Sequence, residues 1–113
     1  MQKLFLIAFG ILCVLGLIFH PVGALAADLQ NGEKVFEANC AACHQGGLNV
    51  VMPNKTLKKE VLETYGMDSV DAITAQVKQG KNAMPMFQGK LTNQDAEDVA
   101  AYVLKQAAQG WKP

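Results

Sequence analysis

The sequence has no arginine, and its ten lysines are balanced by ten carboxylates, so the formal charge at pH 7 is zero with both histidines neutral. That balance leaves no basic footprint for nucleic acid and excludes it as a partner. Histidine is scarce too, limited to His20 and His44, and cysteine to Cys13, Cys40 and Cys43. A structural zinc site needs four ligands, and beyond residue 26 only two thiols and one imidazole are on offer. A Cys40–Cys43 disulfide closes almost no loop and therefore stabilises little. There is no internal repeat, no low-complexity tract and no run of period-two alternation long enough to build a sheet, so the expected class is all-α.

One long apolar run is present, and it stands at the start. Lys3 supplies a positive first segment, residues 4–19 are nearly all apolar, His20-Pro21 breaks the run, and Ala24-Leu25-Ala26 has the small-x-small form of a cleavage site. Residues 1–26 read as a signal peptide removed on export; the run is short for a spanning helix. Cys13 and His20 leave with it. The remainder, 27–113, is one small domain with nine lysines against ten carboxylates. A domain of this size buries a modest share of its surface and usually needs a staple, a metal or a cofactor.

The chemistry concentrates in Cys40-Ala41-Ala42-Cys43-His44. Two thiols three positions apart, followed at once by an imidazole, are what covalent haem attachment requires: each sulfur adds to a porphyrin vinyl group and the histidine reaches the iron. A thiol-disulfide oxidoreductase is the rival from another class. That motif wants a βαβ context, which the helical surroundings do not supply, and exported thiols oxidise unless something uses them.

The pattern around the motif predicts about four short helices. Asp28 caps a first helix running into the motif, with Glu33 near its positive end and Leu29, Gly32, Phe36 and Cys40 on one face. Gly32 lowers helix propensity and so marks a close approach. Residues 45–55, with Gly46-Gly47, two asparagines and Pro53 around Val50-Val51-Met52, form a loop over something apolar and supply the carbonyl that orients His44. Thr56 caps a helix over 57–64 that ends at Tyr65-Gly66, and Lys55, Lys58 and Lys59 make a small basic cluster, a solvated face or a docking contact. Ser69 caps a third helix ending at Gly80, and Thr92 with Asp95 opens the last, where Ala96, Val99, Ala100 and Val103 form one face.

With His44 on one side of the iron, the other ligand is a thioether, since 27–113 holds no second histidine. The candidates are Met52, Met67, Met84 and Met86. Met84 is preferred because Pro85 forces it out of helical conformation into a rigid segment; Met86 is the reserve. Two bound ligands leave no open position, which favours electron transfer over bond chemistry and makes the chain a carrier, not an enzyme.

Cys40-Ala41-Ala42-Cys43-His44, Asn49-Val50-Val51-Met52, Asn54-Lys55-Thr56-Leu57, Gly80-Lys81-Asn82-Ala83-Met84-Pro85 and Asp98-Val99-Ala100-Ala101-Tyr102-Val103, with terminal Gly110-Trp111, together resemble the cytochrome c6 family over essentially all of 27–113. Pro53 and Met86 depart from its pattern. The resemblance implies a class I cytochrome c fold around one covalent haem c, with first and last helices crossing and Gly32 and Phe36 packed on Tyr102. It implies Met84 as sixth ligand. It also implies a soluble monomer of the thylakoid lumen that carries electrons from cytochrome f of the cytochrome b6f complex to photosystem I, with a terminal cytochrome oxidase as a further client. The alternative within the same chemistry is a periplasmic class I cytochrome c feeding a respiratory terminal oxidase.

Overall fold

Helices start here where a side chain can satisfy their first amides. In the computed structural model, which describes residues 26–113, the Asp28 carboxylate accepts from the Asn31 amide at 3.0 Å and opens α1, Leu29–Asn39. Residues 1–25, with most of the expected leader and with Cys13 and His20, lie outside the described residues. α1 stops at Cys40, and the motif forms its own single turn, α2, Ala41–His44, followed by a 3-10 turn over Gln45–Gly47. Three further helices follow: α3, Lys59–Thr64; α4, Val70–Gln79; and α5, Asn93–Ala108. Among the described residues there is no strand, only two isolated bridges, Lys81–Met84 and Gln88–Leu91. None of the described helices is long and apolar enough to cross a membrane.

The expected caps hold for three helices. Ser69 accepts from the Ala72 amide at 3.1 Å, and Thr92 and Asp95 exchange both bonds of a capping box. Two expectations need correction. Glu33 is not in the first turn of α1, which has no acidic residue. Thr56 does not cap the helix expected over 57–64: its hydroxyl accepts from the Lys58 amide in a turn, and α3 begins only at Lys59, with no side-chain cap. The cause is tertiary. Leu57 donates its amide to Gly47 and accepts from the Trp111 indole, contacts that hold it in the preceding loop.

α1 and α5 cross at Gly32. A Cβ there would overlap the Asp98 carbonyl and lie 2.8 Å from the Tyr102 Cβ, so only hydrogen fits. Phe36, one turn on, meets the Tyr102 ring at 5.4 Å between centroids, as the resemblance implied. α4 packs on α5 as well. Ala96, Val99, Ala100 and Val103 are buried, together with Val35, Phe36, Ile73, Val77 and Leu62, and Phe87 fills the core after α4.

Among the described residues Asp98 is the one buried charged side chain, 1% exposed. Its carboxylate accepts from the Asp28 amide at 2.9 Å, from Asn31 Nδ2 at 2.9 Å and from Gln94 Nε2 at 2.8 Å. Burial alone would raise its pKa, but the donors from Asn31, Gln94 and Asp28 outweigh it and hold the carboxyl below the ordinary 3.8. Asn31 also donates to Asp95 at 2.9 Å, so one amide ties the start of α1 to two carboxylates of α5.

Gly32→Ala should force the two helices apart and lower unfolding free energy by about 1–3 kcal/mol, read by chemical denaturation. A depressed carboxyl contributes stability that is present above its unfolded pKa and is lost as pH falls through the folded one. Denaturation midpoints should therefore fall below about pH 4. Asp98→Asn should cost about 2 kcal/mol at neutral pH and flatten that acid dependence; an unchanged acid limb would show that Asp98 does not contribute to it.

Candidate haem site

The break after α1 sets the geometry of the motif. Cys40 accepts from the amides of Cys43 at 3.2 Å and His44 at 2.9 Å, which winds the two thiols and the imidazole onto one turn. Cys40 is half-buried against the core and Cys43 is exposed; the two are not joined in a disulfide. Burial, and secondarily the neighbouring Cys43, pushes the free Cys40 thiol up to about 11. In the polypeptide before haem attachment this disfavours the thiolate and makes Cys40 a poor redox nucleophile.

His44 has its tautomer assigned by a neighbour. Its Nδ1 lies 2.9 Å from the Leu48 carbonyl, which can only accept, so Nδ1 carries the proton and donates while Nε2 keeps a free lone pair for a metal. The expected loop carbonyl is thus that of Leu48. The loop that supplies it is closed by its own backbone and one amide side chain. Leu57 donates to Gly47 at 2.8 Å and Val50 to Cys43 at 3.1 Å. Asn49 donates to the Lys55 carbonyl at 2.8 Å and accepts from the Val51 and Met52 amides at 3.0 and 2.8 Å.

Closing the loop this way turns its apolar residues outward. Leu48, Val50, Val51 and Met52 are 50%, 67%, 56% and 37% exposed in the loop whose Val50 amide bonds the Cys43 carbonyl, a surface suited to an apolar ring rather than to water.

The four methionines separate by position. Met52 and Met86 are exposed, whereas Met67 and Met84 pack against the core. Met67 is an ordinary core contact following α3, its amide bonded to Leu62. Met84 sits in a turn closed by two backbone bonds with Lys81, at 3.0 and 2.9 Å. Gly80 makes that turn possible, with φ +70°; a Cβ there would come within 2.7 Å of the Met84 carbonyl and 2.8 Å of the Met86 amide. Gln76 of α4 then reaches the thioether, Nε2 to Sδ 3.4 Å. Met84 and Cys40 pack against the same core cluster from segments more than forty residues apart.

The sequence pattern does not single out Gln76, and it brings in Asn49 and Trp111 only through the family resemblance. The sole signal for Gln76 is a polar residue on the apolar face of α4, beside Ile73 and Val77. In the basic cluster, Lys55 is not simply solvated: its ammonium stands 5.3 Å over the Tyr65 ring.

Two thiols on one turn, an imidazole with a free Nε2, a thioether held by an amide and an apolar rim form a donor set that fits one haem c. Comparison with known proteins agrees. Residues 27–103 match the family model described as cytochrome C oxidase, cbb3-type, subunit III. The chain is 61% identical over 111 residues to cytochrome c6 of Thermostichus vulcanus, covering 98% of each chain. It is 69% identical over 85 residues to cytochrome c6 of Parathermosynechococcus lividus, covering 75% of this chain and 98% of that one. In three dimensions it is similar to cytochrome c6 from the diatom Phaeodactylum tricornutum, with TM-score 0.73 and 53% identity, over 75% of this chain and all of that one. The fold is therefore the all-α class I cytochrome c fold, the cofactor is one covalently bound haem c, and the chain, an electron-transfer protein and not an enzyme, belongs to the cytochrome c6 family.

Proposed function

We propose that residues 27–113, freed of a signal peptide spanning 1–26, are a soluble carrier of the thylakoid lumen that takes electrons from cytochrome f of the cytochrome b6f complex and delivers them to photosystem I. In this reading Cys40 and Cys43 hold the haem through thioethers and His44 and Met84 are its axial ligands. When bound, the haem supplies a one-electron iron couple.

The rest is the work of the chain. The observation that carries the reading is the His44–Leu48 bond, 2.9 Å, which presents Nε2 as a ligand before any metal arrives. Gln76 and the Lys81–Met84 turn hold the thioether in one place, and Gly80 keeps that turn against the end of α4. Ligands fixed by the fold move little between oxidation states, which suits rapid electron exchange. Val50, Val51 and Met52 keep an apolar rim beside the thiols, and a small apolar contact of this kind matches the weak, transient interfaces of redox encounters.

A second reading shares the chemistry and changes the client. The matching family model is described as subunit III of a cbb3-type oxidase, which favours delivery to a respiratory terminal oxidase, in the periplasm or beside the photosynthetic role. Flash oxidation of photosystem I in membranes separates the two. The purified holoprotein should re-reduce it faster than an unrelated cytochrome of similar charge; equal rates, with rapid oxidation by a terminal oxidase instead, would move the assignment to the second reading.

Met84→Ala should abolish the weak far-red sulfur-to-iron band and lower the reduction potential, whereas Met86→Ala should change neither. Gln76→Val removes a donor that draws density from the sulfur. Its loss favours oxidised iron by about 1 kcal/mol, a fall of roughly 40 mV for a one-electron couple. A Met84→Ala protein that keeps its band would overturn the ligand assignment.

A further inference from the structure

The last aromatic residue of the chain reaches the loop that serves His44. Trp111 has φ +57° and follows Gly110 at φ +72°, a left-handed conformation that a bulky L residue rarely adopts unless its surroundings hold it there. The reversal turns the indole back onto the molecule. Its amide is anchored to the Gln106 carbonyl at 2.9 Å, and its ring stands 5.3 Å from Phe36 and 6.4 Å from Tyr102.

The opposite side of the indole meets the loop. The Nε1–H donates to the Leu57 carbonyl at 2.9 Å, and the Leu57 amide donates to the Gly47 carbonyl at 2.8 Å. The face of the ring lies so close to Gly47 that a Cβ there would be 2.5 Å from three indole carbons. Gly47 immediately precedes Leu48, whose carbonyl receives the His44 Nδ1–H. A single side chain thus closes the neck of the 47–57 loop through a hydrogen bond at one end and a ring face at the other.

From this juxtaposition we infer that Trp111 is a positioning residue for His44: its indole N–H and ring lock Gly47 and Leu57 together, and so fix the Leu48 carbonyl against the imidazole. The inference rests on the reading of His44 as an axial ligand. Packing against Phe36 alone would need only an apolar ring. The N–H bond across 54 residues of sequence, and a glycine where the ring touches the loop, go beyond that need. Releasing the neck would let the Leu48 carbonyl move, weaken the Nδ1–H bond and make the imidazole a poorer donor to oxidised iron.

The test uses the mature holoprotein in three forms. One is Trp111→Phe; one carries the benzothienyl isostere of Trp at 111, which keeps the ring and has no N–H; the third, Val99→Ala, is a core control away from the loop. The proposal expects both changes at 111 to speed hydrogen exchange of His44 Nδ1–H by about fivefold or more, the factor worth one typical net hydrogen bond, and to shift the reduction potential upward. Val99→Ala should change neither beyond its effect on global stability. If the isostere leaves exchange and potential as in the parent, or if Val99→Ala moves them equally at matched stability, the proposal is overturned. Should the parent protein show no hyperfine-shifted His44 resonances at all, the ligand reading itself fails, which is distinct from an indole without influence.

Discussion

Everything in this small domain depends on how closely α1 can approach α5. At Gly32 one helix has no side chain and the other presents the backbone of Asp98, so the two axes come together without an intervening layer. Glycine in a helix interior costs about 1 kcal/mol of propensity. The close crossing offsets that cost by burying Val35, Phe36, Val99 and Tyr102 in a chain with little core to spare. A polar clamp accompanies the apolar contact. Asp98 is buried as a carboxylate because three donors, two of them on the segment that starts α1, meet it. Apolar packing sets the distance between the helices, and Asp98 sets their register.

The haem site hangs from this crossing. Cys40 is the residue at which α1 ends, so the motif begins at a point already fixed by Phe36 and Tyr102. Trp111 extends the same aromatic cluster from the far end of the chain to the loop that holds His44. α4 also packs on α5, and its Gln76 and the turn beyond Gly80 hold Met84. His44 and Met84, the two proposed ligands, are therefore referred to one structural centre although they arrive from distant segments. For a carrier this matters because a ligand held by the fold is not reorganised when the charge on the metal changes.

The loop from Gly47 to Leu57 resolves a conflict of its own. Its backbone is satisfied internally by Asn49, by Lys55 donating to Met52, and by Leu57 and Gly47, without helix or strand. That freedom leaves Val50, Val51 and Met52 exposed as an apolar stretch of the loop. The loop thus keeps its backbone bonded while leaving apolar side chains exposed.

Much of this was legible in the chain itself. The spacing of Cys40, Cys43 and His44 identifies the cofactor because thioether attachment demands two thiols at a fixed interval and a ligand beside them. Asp28, Ser69 and Thr92 announce three helices because capping is a local interaction, complete within four residues. Val99, Ala100 and Val103 announce a buried face because helical periodicity is local too. What the tertiary structure decided is what depends on residues far apart in the chain. Thr56 looks like a cap, yet α3 starts later because Leu57 is held by Gly47 and Trp111. Leu48 is the carbonyl that meets His44, and Gln76 is the amide that meets Met84. No local pattern encodes either pairing, since each rests on where a turn or a helix comes to lie once α1, α4 and α5 have packed. Sequence alone determined the haem-attachment motif and the candidate donors; the packing decided which backbone and side-chain groups hold them still.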